Sequence, residues 1–451
     1  MDPRRPLLPA LLLLAACGGG KFNVQDIEAE VSPVIPTVVT VRWTTDEPTV
    51  GYVEYGDDET YGGQTPLESE ATTDHEAVVM GLLPEVEVRF RVVIPDEEGE
   101  TTSDPQTVTT GPLSNEAPQL DVEGGEHDEF TVVPILGAAT GPAIFDRNGK
   151  AVWFYPDHRE LDVYRARLAR DGRSLLYNAA SVSGDPADES VLVRVSLDGT
   201  EETATPVNLL AHDFVELPDG TIGAMVVEYR DVDGVPIRGD QIVEITPDGT
   251  QTVAWSAWDC FDPAVDIGTD QNIGWTFANA LDYDEAADAY RISLRNFSTI
   301  VQIDRATRTC PIRFGTTAAN VTPAPGDATF LHEHQSHWVD GSVLVFDNDG
   351  ASGESRVTEF AWDGSAATAD AVWSYTSEPS IYTFVLGDVT RLAGGDTMVD
   401  WAVGGQIDRV GPDGTLKWRV NTPMGYAFGF FNVMSTLYGG GTDADRIAAG
   451  E

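Results

Sequence analysis

Residues 243–255 read Val-Glu-Ile-Thr-Pro-Asp-Gly-Thr-Gln-Thr-Val-Ala-Trp. They make a short apolar strand, an Asp-Gly turn and a second strand closing on Trp255. Asp-Gly suits a tight hairpin because both residues tolerate the positive φ that such a turn requires. The phrase recurs: its turn glycine stands at Gly149, Gly199, Gly249, Gly364 and Gly414, at intervals of 50, 50, 115 and 50 residues. The long interval holds a degenerate copy near Arg305–Arg308. Trp153, Trp255, Trp373 and Trp418 follow four of these turns. A second turn series is interleaved, at Asp171-Gly172, Asp219-Gly220, Glu285–Asp288, Asp340-Gly341 and Gly394-Gly395. Two hairpins in roughly fifty residues make about four strands per unit, which is the size of a propeller blade. Six phrases predict an all-β fold, a six-bladed β-propeller over residues 119–440, with residues 441–451 as a tail. A stacked solenoid would also repeat, but four strands per unit favour a closed ring.

Upstream, residues 23–113 show short alternating strands, such as Val38-Val39-Thr40-Val41-Arg42-Trp43, separated by turn residues. This pattern predicts a β-sandwich. The run from Val39 to Gly56 and the run from Gly81 to Val93 resemble a fibronectin type III-like module, and residues 114–118 read as a linker. Residues 1–16 read as a lipoprotein signal peptide: Arg4 and Arg5 open it and an apolar stretch follows. That stretch is far short of the ~20 apolar residues of a membrane span. It ends Leu14-Ala15-Ala16-Cys17-Gly18, a lipobox pattern, so Cys17 is the expected lipidation site and residues 17–22 a tether. The expectation is an exported protein, lipid-anchored in a bacterial cell envelope, at the outer membrane facing the periplasm. Two cysteines then remain. In an oxidising compartment Cys260 and Cys310 are either a disulfide or two separate buried thiols.

The chain has 74 acidic and 27 basic side chains, a formal charge of −47. Such a surface repels phosphate backbones and excludes nucleic acid as a partner. It also means that any site for an anion must be locally positive inside a negative shell.

In a propeller the first strand of each blade lines the central channel, so polar residues entering from several blades converge. Counting back from the second turn series, His212 lies eight residues before Gly220 and His334 seven before Gly341. Asp388 lies seven before Gly395, and Asn279 seven before Ala286. The repeat therefore predicts His212, Asn279, His334 and the Asp388 region around one axis.

The blocks "HDFVELPDGT" (212–221), "WTFANALDYDEAADAYRISLRNFSTIVQID" (275–304), "FLHEHQSHWVDGSVLVFDNDG" (330–350) and "GDVTRLAGGDTMVDWAVGGQIDRVGPDGTLKW" (387–418) resemble, in order, blocks of bacterial arylsulfate sulfotransferases. The resemblance implies sulfuryl transfer from phenolic sulfate esters to phenols, through a histidine nucleophile and with no cofactor or nucleotide donor. No phosphate-cradling GxxxxGK[ST] loop occurs in the chain. By motif, His334 matches the histidine that becomes sulfurylated, and His212 a second histidine suited to proton transfer. Arg295 matches an arginine that holds the sulfuryl oxygens, Asn279 an amide donor, and Thr397 a threonine of the same site. The resemblance leaves a homodimer open.

One position departs from the pattern. Where the family usually has a histidine, this chain has Phe277, which implies a slower site, one preferring bulkier aromatic donors, or an inactive one. Glu333 replaces a glutamine before the nucleophile and, on a strand, points away from His334. Two rival readings follow: a non-catalytic binding propeller, or an arylsulfatase in which water intercepts the same intermediate. His332 and His334 also invite a zinc reading, but the run is not HExxH and no metal is expected. Asp347-Asn348-Asp349-Gly350 resembles a fragment of a calcium loop, without the closing Glu, and is read as a turn.

Overall fold

The computed structural model describes residues 22–438 apart from 98, 126–128, 182–188, 271–272, 328, 340 and 350–352. Cys17, the signal segment and the tail at 441–451 lie outside the described residues. Within those residues the chain divides into two compact units, 22–30 with 40–79 and 87–109, and 31–39 with 80–86 and 110 onward. Both are all-β. The only helices among the described residues are three single-turn 3-10 helices, and none is long and apolar enough to cross a membrane.

The first unit holds two sheets. Val24–Val31, Val39–Thr49 and Thr72–Val79 form one. Gly63–Gln64, Tyr52–Gly56, Glu87–Asp96, Gly99–Thr102 and Gln106–Thr109 form the other. Alternation along these strands buries Val41, Trp43, Val53, Phe90 and Val92 as the core. His75 is a satisfied core histidine. It stacks on Trp43 at 4.9 Å between ring centroids and bonds Glu68 at 2.7 Å and Thr45 at 2.8 Å.

The second unit is built of six sheets of four or five strands. Five of them open on the strands Asp162–Leu168, Leu210–Glu216, Ala278–Asp284, Ser336–Val339 and Asp388–Arg391. In four of these the meander runs outward in chain order. The fifth sheet does so too, with Thr322–Pro323 added in parallel beyond its last strand. The remaining sheet joins the two ends of the unit. Phe130–Gly137, Gly141–Phe145 and Ala151–Phe154 pair with Tyr426–Phe428 and Asn432–Met434 from the far end of the chain. In return, Asp121–Gly124 adds an outer strand to the last sheet, against Leu416–Asn421. The ring is therefore fastened at both chain ends by antiparallel pairing.

Both turn series are present. Gly149, Gly199, Gly249, Gly364 and Gly414, with Gly172, Gly220, Gly341 and Gly395, all have φ between +65° and +86°. At the two degenerate turns no glycine is present, yet Asp288 (φ +46°) and Arg308 (φ +60°) hold the same left-handed conformation.

The opening strands meet at a buried ion cluster. Arg165, 3% exposed, donates to Asp213 from Nε (3.0 Å) and Nη2 (3.2 Å). Its Nη1 reaches Asp388 Oδ2 (3.1 Å), the Phe431 carbonyl (2.8 Å) and Asn432 Oδ1 (3.2 Å). Asp213 also accepts from the Leu281 amide (3.0 Å) and Gln335 Nε2 (2.7 Å). Five of the six sheets contribute a strand residue to this cluster, and Gln335 joins it from just before the opening strand of the fifth sheet, Ser336–Val339. The opening strands of the second, third and fourth sheets change register here, between Val163 and Ala166, Leu210 and Phe214, and Ala278 and Ala280. Such bulges re-aim a side chain without ending the strand, and Arg165, His212 with Asp213, and Asn279 all sit within them.

Farther out, Cys260 and Cys310 are joined, with Cα atoms 6.1 Å apart. The bridge ties the segment after the third sheet to the turn Arg305–Arg308 region of the fourth and packs on their shared apolar core.

Candidate active site

The chain enters four of the opening strands through a left-handed residue: Leu209 (φ +59°), Phe277 (+50°), His332 (+56°) and Leu386 (+58°). Each lies two or three residues ahead of His212, Asn279, His334 or Asp388. A left-handed L-residue costs roughly 1–2 kcal/mol, and the buried sheets around it hold it there. This kink delivers His212 and His334 to one point. Their ring centroids are 6.3 Å apart and nearly perpendicular, with an interplanar angle of 76°. Tyr164 (5.5 Å) and Phe277 (5.6 Å) pack on the His212 ring, and Phe430 (6.3 Å) on that of His334. Phe430 in turn carries the Arg165 guanidinium at 4.8 Å, so the ion cluster lies directly behind the histidine pair.

The proton on His334 can be placed. Asn348 Nδ2 lies 2.9 Å from the Thr383 carbonyl and 2.7 Å from the Leu386 carbonyl. Carbonyls only accept, so the NH₂ group faces them and Oδ1 faces His334 Nδ1 at 2.7 Å. An amide oxygen also only accepts, so Nδ1 carries the proton and Nε2 is left as the lone pair. The buried Nδ1 of His212 has no hydrogen-bond partner in the protein.

Both imidazoles are held neutral. Burial lowers His212 to about 3, with Arg238 and then Arg295 adding to the effect. Burial pushes His334 well below the usual histidine value, followed by the neighbouring His212 and by Arg295. Arg295, in the 3-10 turn Arg295–Phe297, donates to Asn296 Oδ1 at 3.0 Å and stands 3.9 Å from Asp270. Those two contacts leave N–H donors over for a ligand. Asn279 is fully buried. Its Nδ2 donates to the Glu333 carbonyl at 2.8 Å, bracing the fourth sheet against the backbone before His334, and its Oδ1 is unpartnered. Glu333 turns its carboxyl away to Ser293 Oγ at 2.8 Å, and burial raises its pKa well above the usual range.

The arylsulfotransferase (ASST) profile matches residues 122–414 of the sequence, more than half of the chain. The chain belongs to the arylsulfotransferase family. No curated protein matches it. Among solved structures it is similar to a Bacteroides caccae protein of unknown function, with 13% identity and a TM-score of 0.44, over 68% of this chain and 98% of that one. An auxiliary nutrient binding protein from Bacteroides thetaiotaomicron gives 8% and 0.40, over 90% and 97%. A virginiamycin B lyase from Staphylococcus aureus gives 11% and 0.36, over 68% and 89%. At such scores none of these carries an argument about this arylsulfotransferase.

Four of the five residues matched to the arylsulfotransferase motifs lie together: His212, His334, Asn279 and Arg295. Thr397 is corrected. It pairs with Arg391, whereas Asp388 pairs with Asp400. It therefore sits three residues along its strand from the level of the histidines, or about 10 Å, and is fully buried. The motif placed the right strand but the wrong end of it. The run Asp347-Asn348-Asp349 is a scaffold rather than a simple turn. Asp347 binds Arg356 at 2.9 Å, Asn348 fixes His334, and Asp349 bonds His332 Nδ1 at 3.2 Å. His332 is thereby drawn to Asp349 and to Thr269 (3.0 Å). Among the described residues no group of three or more His, Cys, Asp or Glu is arranged to hold a metal ion. Arg165, Asp213 and Asn348 were missed in the sequence. For Arg165 and Asp213 the signal existed, since each lies seven residues before a turn glycine, Gly172 and Gly220. For Asn348 there was none, because its role depends on a fold-dependent contact.

If Asn348 fixes the tautomer, Asn348→Ala should leave the fold intact and lower the rate of His334-dependent chemistry about ten- to hundredfold, the scale on which loss of a positioning partner acts. Nitrogen NMR of the His334 ring should show a single Nδ1-protonated tautomer in the parent and a mixture in the variant. An unchanged tautomer and rate would remove Asn348 from the site.

Proposed function

We propose that this arylsulfotransferase-family chain moves a sulfuryl group from a phenolic sulfate ester to a second phenol through an N-sulfo intermediate on His334. The observation that carries the reading is the Asn348–His334 bond, because it leaves an unprotonated Nε2 on a buried neutral imidazole. In the first half-reaction Nε2 forms the N–S bond as the S–O bond breaks, and the electron pair leaves on the phenolate oxygen. In the second, an acceptor phenol forms a new O–S bond while its proton goes to the free Nδ1 of His212. The N–S pair returns to His334, and His212, a weak base, releases the proton to water. Arg295 holds the sulfuryl oxygens, whose charge is spread in the transition state. Asn279 braces the backbone that carries the nucleophile.

The same reading places the chain at the cell envelope, with Cys17 as lipid anchor and the first unit as spacer. Its substrates are small phenolic sulfates and phenols.

The test is release of 4-nitrophenol from 4-nitrophenyl sulfate by the parent and by His334→Ala. Release that requires added phenol and falls by at least about a thousandfold in the variant is expected for a covalent nucleophile. Phenol-independent release, also lost in the variant, would make the chain a hydrolase, and no release from folded parent would leave a binding protein.

The pH profile follows from the lowered imidazole values. The neutral forms are the reactive ones, and a lowered pKa keeps them neutral as pH falls. The acid limb of kcat/KM, which reports the free enzyme, should therefore lie clearly below the ordinary histidine range. A limb centred near the ordinary histidine value of about 6.5 would contradict the burial of the pair.

A further inference from the structure

His334 is 1% exposed and His212 6%, so the two rings are nearly closed off from solvent. A sulfuryl group is compact enough to reach them, whereas the body of an aryl ester must rest on the surface around the opening. Strand pairing shows which segments form that surface. Leu210 pairs with Val226, Ala278 with Leu294 and Asp388 with Asp400, so the site lies where opening strands begin and second strands end. Antiparallel pairing then puts the Asp-Gly turns on the opposite face. The connections that enter each opening strand stand on the face of the site, and two of them carry large exposed apolar side chains. Between Thr368–Tyr375 and Asp388–Arg391, Tyr382 is 51% and Phe384 58% exposed. Between Gln251–Ser256 and Ala278–Asp284, Val265 and Ile267 are more than half exposed.

Both connections are fastened to the site itself. Thr383, between the two exposed rings, is fully buried. Its amide donates to Ser355 Oγ at 2.9 Å, and its carbonyl accepts from Asn348, the residue that orients His334. Val385 and Leu386 turn into the apolar cluster that holds Tyr164 and Phe430, the rings packed on the histidines. With Thr383 and Val385 turned inward, Tyr382 and Phe384 are left on the outer side. On the other connection, Thr269 bonds His332 at 3.0 Å and its amide donates to the Asn296 carbonyl at 2.7 Å. Asn296 Oδ1 in turn accepts from Arg295. The Asp266 carbonyl, between Val265 and Ile267, is held by Trp275 Nε1 at 2.8 Å. Phe277, half-buried and 5.6 Å from His212, adds an apolar wall on the inner side. In a chain with 74 acidic side chains, two fastened apolar segments beside one opening suit a ligand that is apolar behind an anionic head.

We propose that Tyr382 and Phe384, together with Val265 and Ile267, are specificity-determining residues: they bind the aryl body of the sulfate ester and select phenols with more than one ring. The proposal rests on the sulfuryl-transfer reading for its reaction, though not for its binding. A single phenyl ring behind a sulfuryl group seated at His334 is short and reaches mainly the Phe277 wall. A second fused ring extends outward, where it stays in water unless side chains cover it. Covering that ring favours the larger ester in the ground state and the transition state alike, so the preference lies in KM more than in kcat.

The binding test uses benzenesulfonate and 2-naphthalenesulfonate, in which sulfur is bonded to carbon and no sulfuryl group can leave. Calorimetry gives their affinities for the parent, Tyr382→Ala/Phe384→Ala, Val265→Ser/Ile267→Ser and Val372→Ala. Val372 is an equally exposed control on the strand Thr368–Tyr375. The substituted side chains are all exposed, so the fold should survive, as circular dichroism would verify. The parent should bind the naphthyl compound about tenfold tighter than the phenyl one, the scale of covering a second ring. That ratio should fall to about two in Tyr382→Ala/Phe384→Ala, drop about threefold in Val265→Ser/Ile267→Ser and hold in Val372→Ala. A parent ratio near one, a ratio that either double variant leaves unchanged, or no binding of either compound would overturn the assignment. Turnover separates this proposal from the reaction. With 2-naphthyl sulfate and phenyl sulfate, whose phenols are of similar acidity, the same ratio should appear in kcat/KM. The expected binding without turnover of either ester would support the aryl site while counting against sulfuryl transfer.

Discussion

The second unit depends on the buried guanidinium of Arg165. Six sheets can close a ring only if their opening strands agree on one register at the axis, and apolar contacts alone do not impose one. Arg165 does, by bonding Asp213, Asp388, Asn432 and the Phe431 carbonyl while Asp213 collects Leu281 and Gln335. Five sheets, and the segment that leads into the remaining one, are thus tied to one guanidinium–carboxylate group. Such a cluster is weak as a source of net stability, but breaking it by removing one partner costs about 3–5 kcal/mol. Asp388 shows the strain of the arrangement. Burial lifts it to about 7, with Arg165 pulling it down and the Asp213 charge adding to the rise.

That cluster also positions the chemistry. Phe430 lies between Arg165 and His334, and the same bulges that turn Arg165 and Asp213 to the axis turn His212 to its neighbour. The result is an unusual local balance. In a chain of formal charge −47, the histidine pair is faced by Arg238 and Arg295 and kept neutral by burial. A buried neutral imidazole is a better nucleophile than a solvated one that is partly protonated, and two nearby cations make this point locally positive inside an acidic exterior.

Much of this was legible in the sequence because it depends on spacing. The Asp-Gly turns mark the hairpins, since only certain residues accept φ near +65° to +86°, and the offset from turn to opening strand is fixed by strand length. An offset of seven or eight residues gave His212, Asn279, His334 and Asp388. A strict seven gives Arg165 and Asp213, with His212 one residue before. Thr397 failed because a motif match names a strand without fixing which end faces the site. Asn348 was illegible for a different reason. It acts through His334, 14 residues earlier in the chain, by a contact that only the fold makes, and no local pattern records it.

The central claim is that His334 carries the sulfuryl group. It is tested most directly by mixing the protein with 4-nitrophenyl sulfate in the absence of a phenol, quenching at alkaline pH and mapping the added mass by peptide sequencing. The account predicts one sulfuryl group on the peptide containing His334, removed when phenol is added and absent from His334→Ala. A turning-over protein with no such adduct, or with the group on another residue, would contradict it.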